Sequence, residues 1–288
     1  MKCKICKSES KLILSNLTYL GKYQGQIFRC VKCEYLQVSP ADWLEEAYSE
    51  SISITDTGLI ARNQLFTKRI AVFLSIKDIK LCFPLLFLRV FKNLIKIIYI
   101  KNIVRYSKKI LDFGGGYGVL VRMLRDFGLH AEWRDPYTKN IFARGFEASE
   151  IEYDCLLSFE VLEHLEDPDT EFDRLFNQHK PNFFIFSTLL YGRDIPDSKW
   201  WYYTPETGQH IGFFNEVTLD FLAKKYGYHY ISIDTNFHIF SKSKLDEKTI
   251  RFFVLRADYF FPAIAKSYAS LTLGDSQFII DDLRREKV

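Results

Sequence analysis

Two groups of residues in this chain have the types and spacing for chemistry. The first is four cysteines near the start, in Cys3-Lys4-Ile5-Cys6 and Cys30-Val31-Lys32-Cys33. Four thiolates in two C-x-x-C hooks suit tetrahedral coordination by a borderline-soft ion, so Cys3, Cys6, Cys30 and Cys33 are expected to hold a structural Zn2+. A pair of disulfides is the competing arrangement, and it belongs to an oxidising compartment. The second group begins at Asp112-Phe113-Gly114-Gly115-Gly116-Tyr117-Gly118, between an apolar run ending at Leu111 and the helically spaced Val119, Leu120, Met123 and Leu124. Glycines at such a strand-to-helix turn let backbone N–H groups approach a ligand that a Cβ would block. The dinucleotide pattern G-x-G-x-x-G needs a small residue where this chain has Val119 or Val121, so it does not fit.

Further carboxylates and imidazoles follow. Asp135 ends the second strand, at the ligand edge of a parallel sheet, where a carboxylate accepts hydrogen bonds from ribose hydroxyls. Glu160, Glu163 and His164 are spaced i, i+3 and i+4, which puts them on one face if the segment is helical. Two carboxylates and an imidazole can hold a divalent ion, with Mg2+ or Mn2+ favoured by the glutamates. His210 is a fourth ligand in that reading. In the other it is a general base, because imidazole titrates near neutral pH. Trp200-Trp201-Tyr202-Tyr203 offers aromatic faces to a sugar or flat ring, or simply packs in the core.

Those residues need elements to hold them. Alternation predicts strand Ile110–Phe113, helix Tyr117–Phe127, strand His130–Arg134, helix Thr138–Phe146, strand Tyr153–Phe159, helix Val161–Phe176 and strand Asn182–Ser187. Such alternation argues for a parallel sheet with helices on both faces. A helix over Glu216–Tyr226 and two β-rich runs, Tyr228–Asp234 and Phe237–Phe240, follow. The expected division is a ribbon over 1–40, a helical cap over 41–107, an α/β core over 108–241 and a helical extension over 242–288.

Composition bounds the partners. The 288 residues carry 39 basic and 36 acidic side chains, a balance that argues against a non-specific nucleic-acid coat. With 48% hydrophobic residues the chain has ample material for a core. No apolar leader opens the sequence, which fits a cytoplasmic protein. Leu81 to Ile100 is apolar but carries Arg89, Lys92 and Lys96 on one helical face. That pattern fits a helix with a basic outer stripe, or peripheral contact with an acidic membrane, better than a spanning segment. Oligomeric state is not written in the sequence.

The D-x-G-x-G-x-G run resembles the first motif of class I S-adenosylmethionine-dependent methyltransferases. Glu160-Val161-Leu162-Glu163-His164-Leu165-Glu166-Asp167-Pro168 is similar to the fourth motif of that superfamily, especially its quinone-biosynthesis branch. The flanks Asp56–Asn63, Asn140–Glu147, Trp200–Tyr203 and Gly208–Ile211 look like bacterial zinc-ribbon methyltransferases, some of which act on nucleotide-linked keto-sugars. The resemblance implies a Rossmann-like α/β sheet with a zinc ribbon and helical cover. It also implies S-adenosylmethionine bound by Asp112, Gly114, Gly116, Gly118, Asp135, Phe159 and Glu160, and a small-molecule acceptor served by His210, His164 and Glu163. Plant small-RNA 3′-end methyltransferases have a similar E-x-x-E-H and later histidine that bind a divalent ion, which makes RNA the alternative acceptor. A non-catalytic binding protein with a vestigial pocket is the remaining class, and the intact glycine motif counts against it.

Overall fold

The computed structural model describes residues 1–48, 56–77, 106–149 and 152–285. In chain order they form β1 (Ser10–Tyr19), β2 (Tyr23–Cys30), β3 (Leu36–Ser39), α1 (Leu44–Ala47), α2 (Leu59–Ile76), β4 (Ile110–Phe113), α3 (Val119–Phe127), β5 (Ala131–Arg134) and β6 (Cys155–Ser158). Then come α4 (Pro168–His179), β7 (Phe183–Ser187), β8 (Gly212–Phe213), α5 (Glu216–Lys225), β9 (His229–Ser232), β10 (Phe237–Ser241), α6 (Glu247–Val254), α7 (Ala257–Ala265) and α8 (Thr272–Arg285). They group into two compact units, Met1–Asp56 with Ile151–Ser243, and Thr57–Glu150 with Lys244–Val288.

In the first unit, β1, β2, β3 and β8 form an antiparallel sheet in that order, with Leu36 opposite Phe213 at the β3–β8 seam. Leu36, Val38 and Trp43 share an apolar cluster with Tyr202, Tyr203, Ile211 and Phe213. The same unit holds β6 parallel to β7, with β10 antiparallel to β7 and β9 antiparallel to β10. Every residue of β6, β7 and β10 is buried, as expected of strands covered on both faces.

In the second unit, β4 runs parallel to β5 through the crossover helix α3. The buried stretch Ile70–Ile76 of α2 lies in a helix that packs on α3, α6 and α7. Parallel strands joined through helices place the chain in the Rossmann-like α/β class.

Two expected helices differ. Thr138–Phe146 is a series of bends and turns, because the Asn140 side chain accepts from Ala143 N at 2.9 Å and Gly145 takes φ +85°. Val161–Phe176 splits into a 3-10 turn over Leu162–His164 and a separate α4. Pro168 biases Asp167 away from helical backbone, and Asp167 then caps α4 with its side chain. The basic stripe of Arg89, Lys92 and Lys96 lies outside the described residues. Among the described residues, no helix is long and apolar enough to cross a membrane.

Candidate active site

The glycine turn sits at the end of β4. Gly114, Gly116 and Gly118 have φ of +73°, +52° and +86°, in the left-handed region that side chains other than glycine avoid. Nothing lies within 4 Å of where a Cβ on Gly116 would sit, so the loop leaves open space there. A Cβ on Gly118 would meet Asn140 Oδ1 at 2.7 Å and Ala143 at 3.0 Å, so this glycine also serves packing. Gly118 also ends the loop as the N-cap of α3 and supplies no side-chain cap to the helix.

Asp112 lies beneath the turn, 2% exposed, and its Oδ2 has no hydrogen-bond partner. Burial, reinforced by the charge of Asp135, pushes its carboxyl up to about 7. Asp135 accepts from the backbone N–H groups of Gly116, Tyr137 and Thr138 at 2.9, 2.8 and 2.9 Å, so it fixes the turn as well as facing the sheet edge. Trp133 donates through Nε1 to Gly116 O at 2.7 Å. A Cβ on Gly115 would meet Trp133 at 2.8 Å and Asp112 Oδ2 at 2.9 Å. The spacing did not single out Gly115 or Trp133, because their roles come from packing across two strands.

The first unit carries the other group. Glu163, His164 and His210 offer ligand atoms that all lie within 4.8 Å of one another. Glu163 is fully buried; its Oε1 accepts from Tyr202 OH at 2.7 Å and its Oε2 has no partner. His164 Nδ1 lies 3.1 Å from Gln209 O, and His210 Nδ1 lies 2.7 Å from Tyr202 O. A carbonyl can only accept, so both rings carry the proton on Nδ1 and keep Nε2 as an acceptor. Burial lowers both imidazoles to about 4, with each also influenced by its neighbours, so they are neutral near pH 7. The rings sit 4.8 Å apart, edge to face.

Glu160 stands apart from this trio. It has φ +56°, its N–H donates to Ser187 Oγ at 2.7 Å, and that hydroxyl donates to Glu160 Oε1 at 2.7 Å. The expected shared helical face is therefore replaced by a 3-10 turn, and proximity comes instead from the loop that brings in His210. Tyr202, read from the sequence as an aromatic face, and Gln209, read only as part of a resembling flank, supply the carbonyls that fix both imidazole tautomers. The aromatic run divides: Tyr202 and Tyr203 are buried, while Trp201 is 70% exposed.

At the start of the chain, Cys3 Sγ lies 3.6 Å from Cys33 Sγ and Cys6 Sγ 3.3 Å from Cys30 Sγ. All four thiols are free, and these distances are far beyond an S–S bond of about 2 Å. A Zn–S length of about 2.3 Å gives tetrahedral S–S edges of roughly 3.8 Å, close to the spacing found. Backbone N–H groups of Ile5, Lys32 and Cys33 point at Cys3 and Cys30 sulfurs at 3.4 Å, the polarity a thiolate cluster needs. The hydrogen bond with Cys33 pulls Cys3 down to about 5, against the effect of its burial.

No curated protein matches the sequence. Solved structures similar to the chain include TnmH, at 15% identity over 52% of this chain and 54% of that one, with a TM-score of 0.38. Human N-acetylserotonin methyltransferase in complex with SAM is 13% identical over 70% and 66%, with a TM-score of 0.36. Magnesium protoporphyrin IX methyltransferase from Synechocystis PCC 6803 with bound SAH is 12% identical over 69% and 91%, with a TM-score of 0.35. The chain thus covers about half of the first of these proteins and about two thirds of the second. Residues 91–233, just under half of the chain, match the model of a family described as a methyltransferase domain.

Proposed function

We propose that the chain transfers the methyl group of S-adenosylmethionine to an oxygen or carbon nucleophile of a small molecule, of the sugar-nucleotide or surface-glycan-precursor kind. The observation that carries the donor assignment is the orphaned Asp112 Oδ2 beneath a loop left open at Gly116. When bound, the cofactor supplies an electrophilic methyl group on a sulfonium. Gly114, Gly116 and Gly118 would give it backbone access, Asp112 would meet the ammonium of its methionine end, and Asp135 would accept from its ribose. Phe159 and Glu160 complete the set by resemblance to the family motif.

On the acceptor side, His210 Nε2 takes the proton of the attacking hydroxyl or carbon acid. With S-adenosylmethionine bound, the sulfonium would supply the methyl group to the acceptor, and the acceptor's proton would rest on His210 as an imidazolium. Tyr202 O accepts from Nδ1 and shares the positive charge, while His164 and Glu163 orient and balance it. Trp201, exposed beside Tyr202, offers a stacking face to a sugar. Cys3, Cys6, Cys30 and Cys33 hold a structural Zn2+, and a thiolate site of this kind belongs to a reducing compartment such as the cytoplasm.

One observation favours a second reading, in which Glu163, His164 and His210 bind a divalent ion and the acceptor is RNA. Each of the three offers a ligand atom within 4.8 Å of the others, and Glu163 Oε2 has no hydrogen-bond partner. Two imidazoles and one carboxylate suit Mn2+, Fe2+ or Zn2+ better than Mg2+. The deciding experiment is a calorimetric cofactor titration, then labelled methyl transfer to nucleotide-sugars, quinols and short RNAs, with and without a weak chelator that spares thiolate sites. Transfer to a nucleotide-sugar that survives the chelator, and falls about 10²–10⁴-fold in His210→Ala, supports the base. Chelator-sensitive transfer to RNA supports the metal.

A further inference from the structure

The loop bearing His210 takes many of its hydrogen bonds from the first 47 residues. An irregular segment must find partners for its backbone groups. Here Pro205 O accepts from Leu20 N at 2.9 Å, Gly208 O from Trp43 Nε1 at 2.8 Å and Ile211 O from Val38 N at 2.9 Å. The Gln209 side chain donates to Ala47 O at 2.8 Å. Immediately after Ile211, β8 pairs with β3. Strand β3 in turn starts directly after the second cysteine hook, and Gln37 within it clamps the first. Gln37 Oε1 accepts from Lys4 N at 2.7 Å and its Nε2 donates to Lys2 O at 3.0 Å, while the residue is fully buried. Thr218 Oγ1 closes the ring by donating to Cys33 O at 2.8 Å. Tyr35, two residues past Cys33, places its hydroxyl where a Cβ on Gly212 would be.

We propose that the metal-loaded cysteine ribbon is the positioning element of the His210 loop, with Gln37 and Trp43 as the positioning residues that transmit its order. A segment of about 40 residues holds its fold poorly without a metal or other staple. Loss of the ion therefore loosens β3, and with it β8 and the carbonyls that fix the two imidazoles. Binding energies are reciprocal, so a disturbed His210 loop weakens the hold on the ion in turn. The inference rests on the reading of the four cysteines as a metal site.

The test uses the full chain, reconstituted with zinc and then stripped under reducing conditions, and followed by hydrogen exchange. Stripping should raise exchange together in residues 36–39 and 205–213, while residues 110–127 stay protected and S-adenosylmethionine affinity stays within about twofold. Deprotection confined to residues 1–35 overturns the proposal and leaves the ribbon as a separate folding unit. The reciprocal arm measures zinc release to a chromogenic chelator. Gly212→Ala, which drives Tyr35 aside, and Thr218→Val, which drops the bond to Cys33 O, should each weaken zinc affinity by about 10-fold, read as the share released to the chelator at equilibrium. Thr218→Val is nearly isosteric and reports if Gly212→Ala misfolds. Unchanged release in a folded variant overturns the coupling. A chain that takes up no zinc on reconstitution overturns the metal reading itself.

Discussion

At the scale of single residues, Asp112 is a carboxyl that folding neutralises. Its raised value of about 7 lies well above the roughly 3.9 of an unfolded aspartate. Across that window the unfolded state binds fewer protons, so stability falls as pH rises from about 4 to 7 and is level beyond. Denaturant titrations at pH 5 and 7.5 should show this slope, and Asp112→Asn should lose it. Cofactor affinity should run the other way, because an ammonium beside Asp112 favours its ionised form. Affinity that rises from pH 6 to 8 in the native chain and stays level in Asp112→Asn is the expected calorimetric result. Parallel profiles would remove Asp112 from the methionine end. The neighbouring glycines separate two effects. Gly116→Val meets open space but an unfavourable φ, so the chain should stay folded and lose cofactor binding, which calorimetry beside a thermal melt would check. Gly115→Ala strikes Trp133 and Asp112, so its first sign should be a lower Tm. The left-handed turn at Gly114, Gly116 and Gly118 was legible from spacing. Gly115 and Trp133 were not, since their constraint comes from a strand some twenty residues away.

At the scale of elements, the parallel strands were legible because β4, β6 and β7 are continuous apolar runs bounded by turns. Their flanking helices were read too long where a polar side chain intervenes. Asp167 shows this well: its Oδ2 accepts from Thr170 Oγ1 at 2.7 Å, which starts α4 and leaves Leu162–His164 as a tight turn. Asp167→Ala should cost about 0.5–2 kcal/mol, read as a lower midpoint in urea with an unchanged slope. A larger loss, or a changed slope, would mean the turn itself depends on the cap. The same turn explains why the trio of Glu163, His164 and His210 could be named from types and spacing while its geometry could not. Helical spacing would have grouped Glu160 with it. The left-handed backbone at Glu160 and its ring of hydrogen bonds with Ser187 take that carboxylate elsewhere.

At the scale of the whole molecule, the sequence announced a helical C-terminal segment but not the unit it joins. Nothing in local periodicity links Arg125 with Asp275, 150 positions later, yet they make the most buried ion pair among those described. Arg125 Nε and Nη2 donate to the two oxygens of Asp275 at 2.8 and 2.6 Å, Arg122 adds a third bond at 2.8 Å, and Phe146 stacks under the Arg125 guanidinium at 3.5 Å. This fork ties α8 to α3, the helix that follows the glycine turn. Burial pushes the Asp275 carboxyl up, but the hydrogen bonds and charges of Arg125 and Arg122 outweigh it and hold the group below the usual range. Its contribution is therefore present above about pH 4 and lost as pH falls through the lowered folded value. Removing one partner strands a buried charge, so Asp275→Ala should cost about 3–5 kcal/mol near pH 7. The double variant Arg125→Met, Asp275→Leu should recover most of that loss, since an apolar pair of similar volume needs no desolvated charge. Urea unfolding of the native chain and the single variant at pH 7 and pH 3 tests the sign, with the gap between them expected to narrow in acid. A gap that holds constant with pH would mean that packing of the α8 side chains, rather than the ionised fork, joins the C-terminal helix to α3.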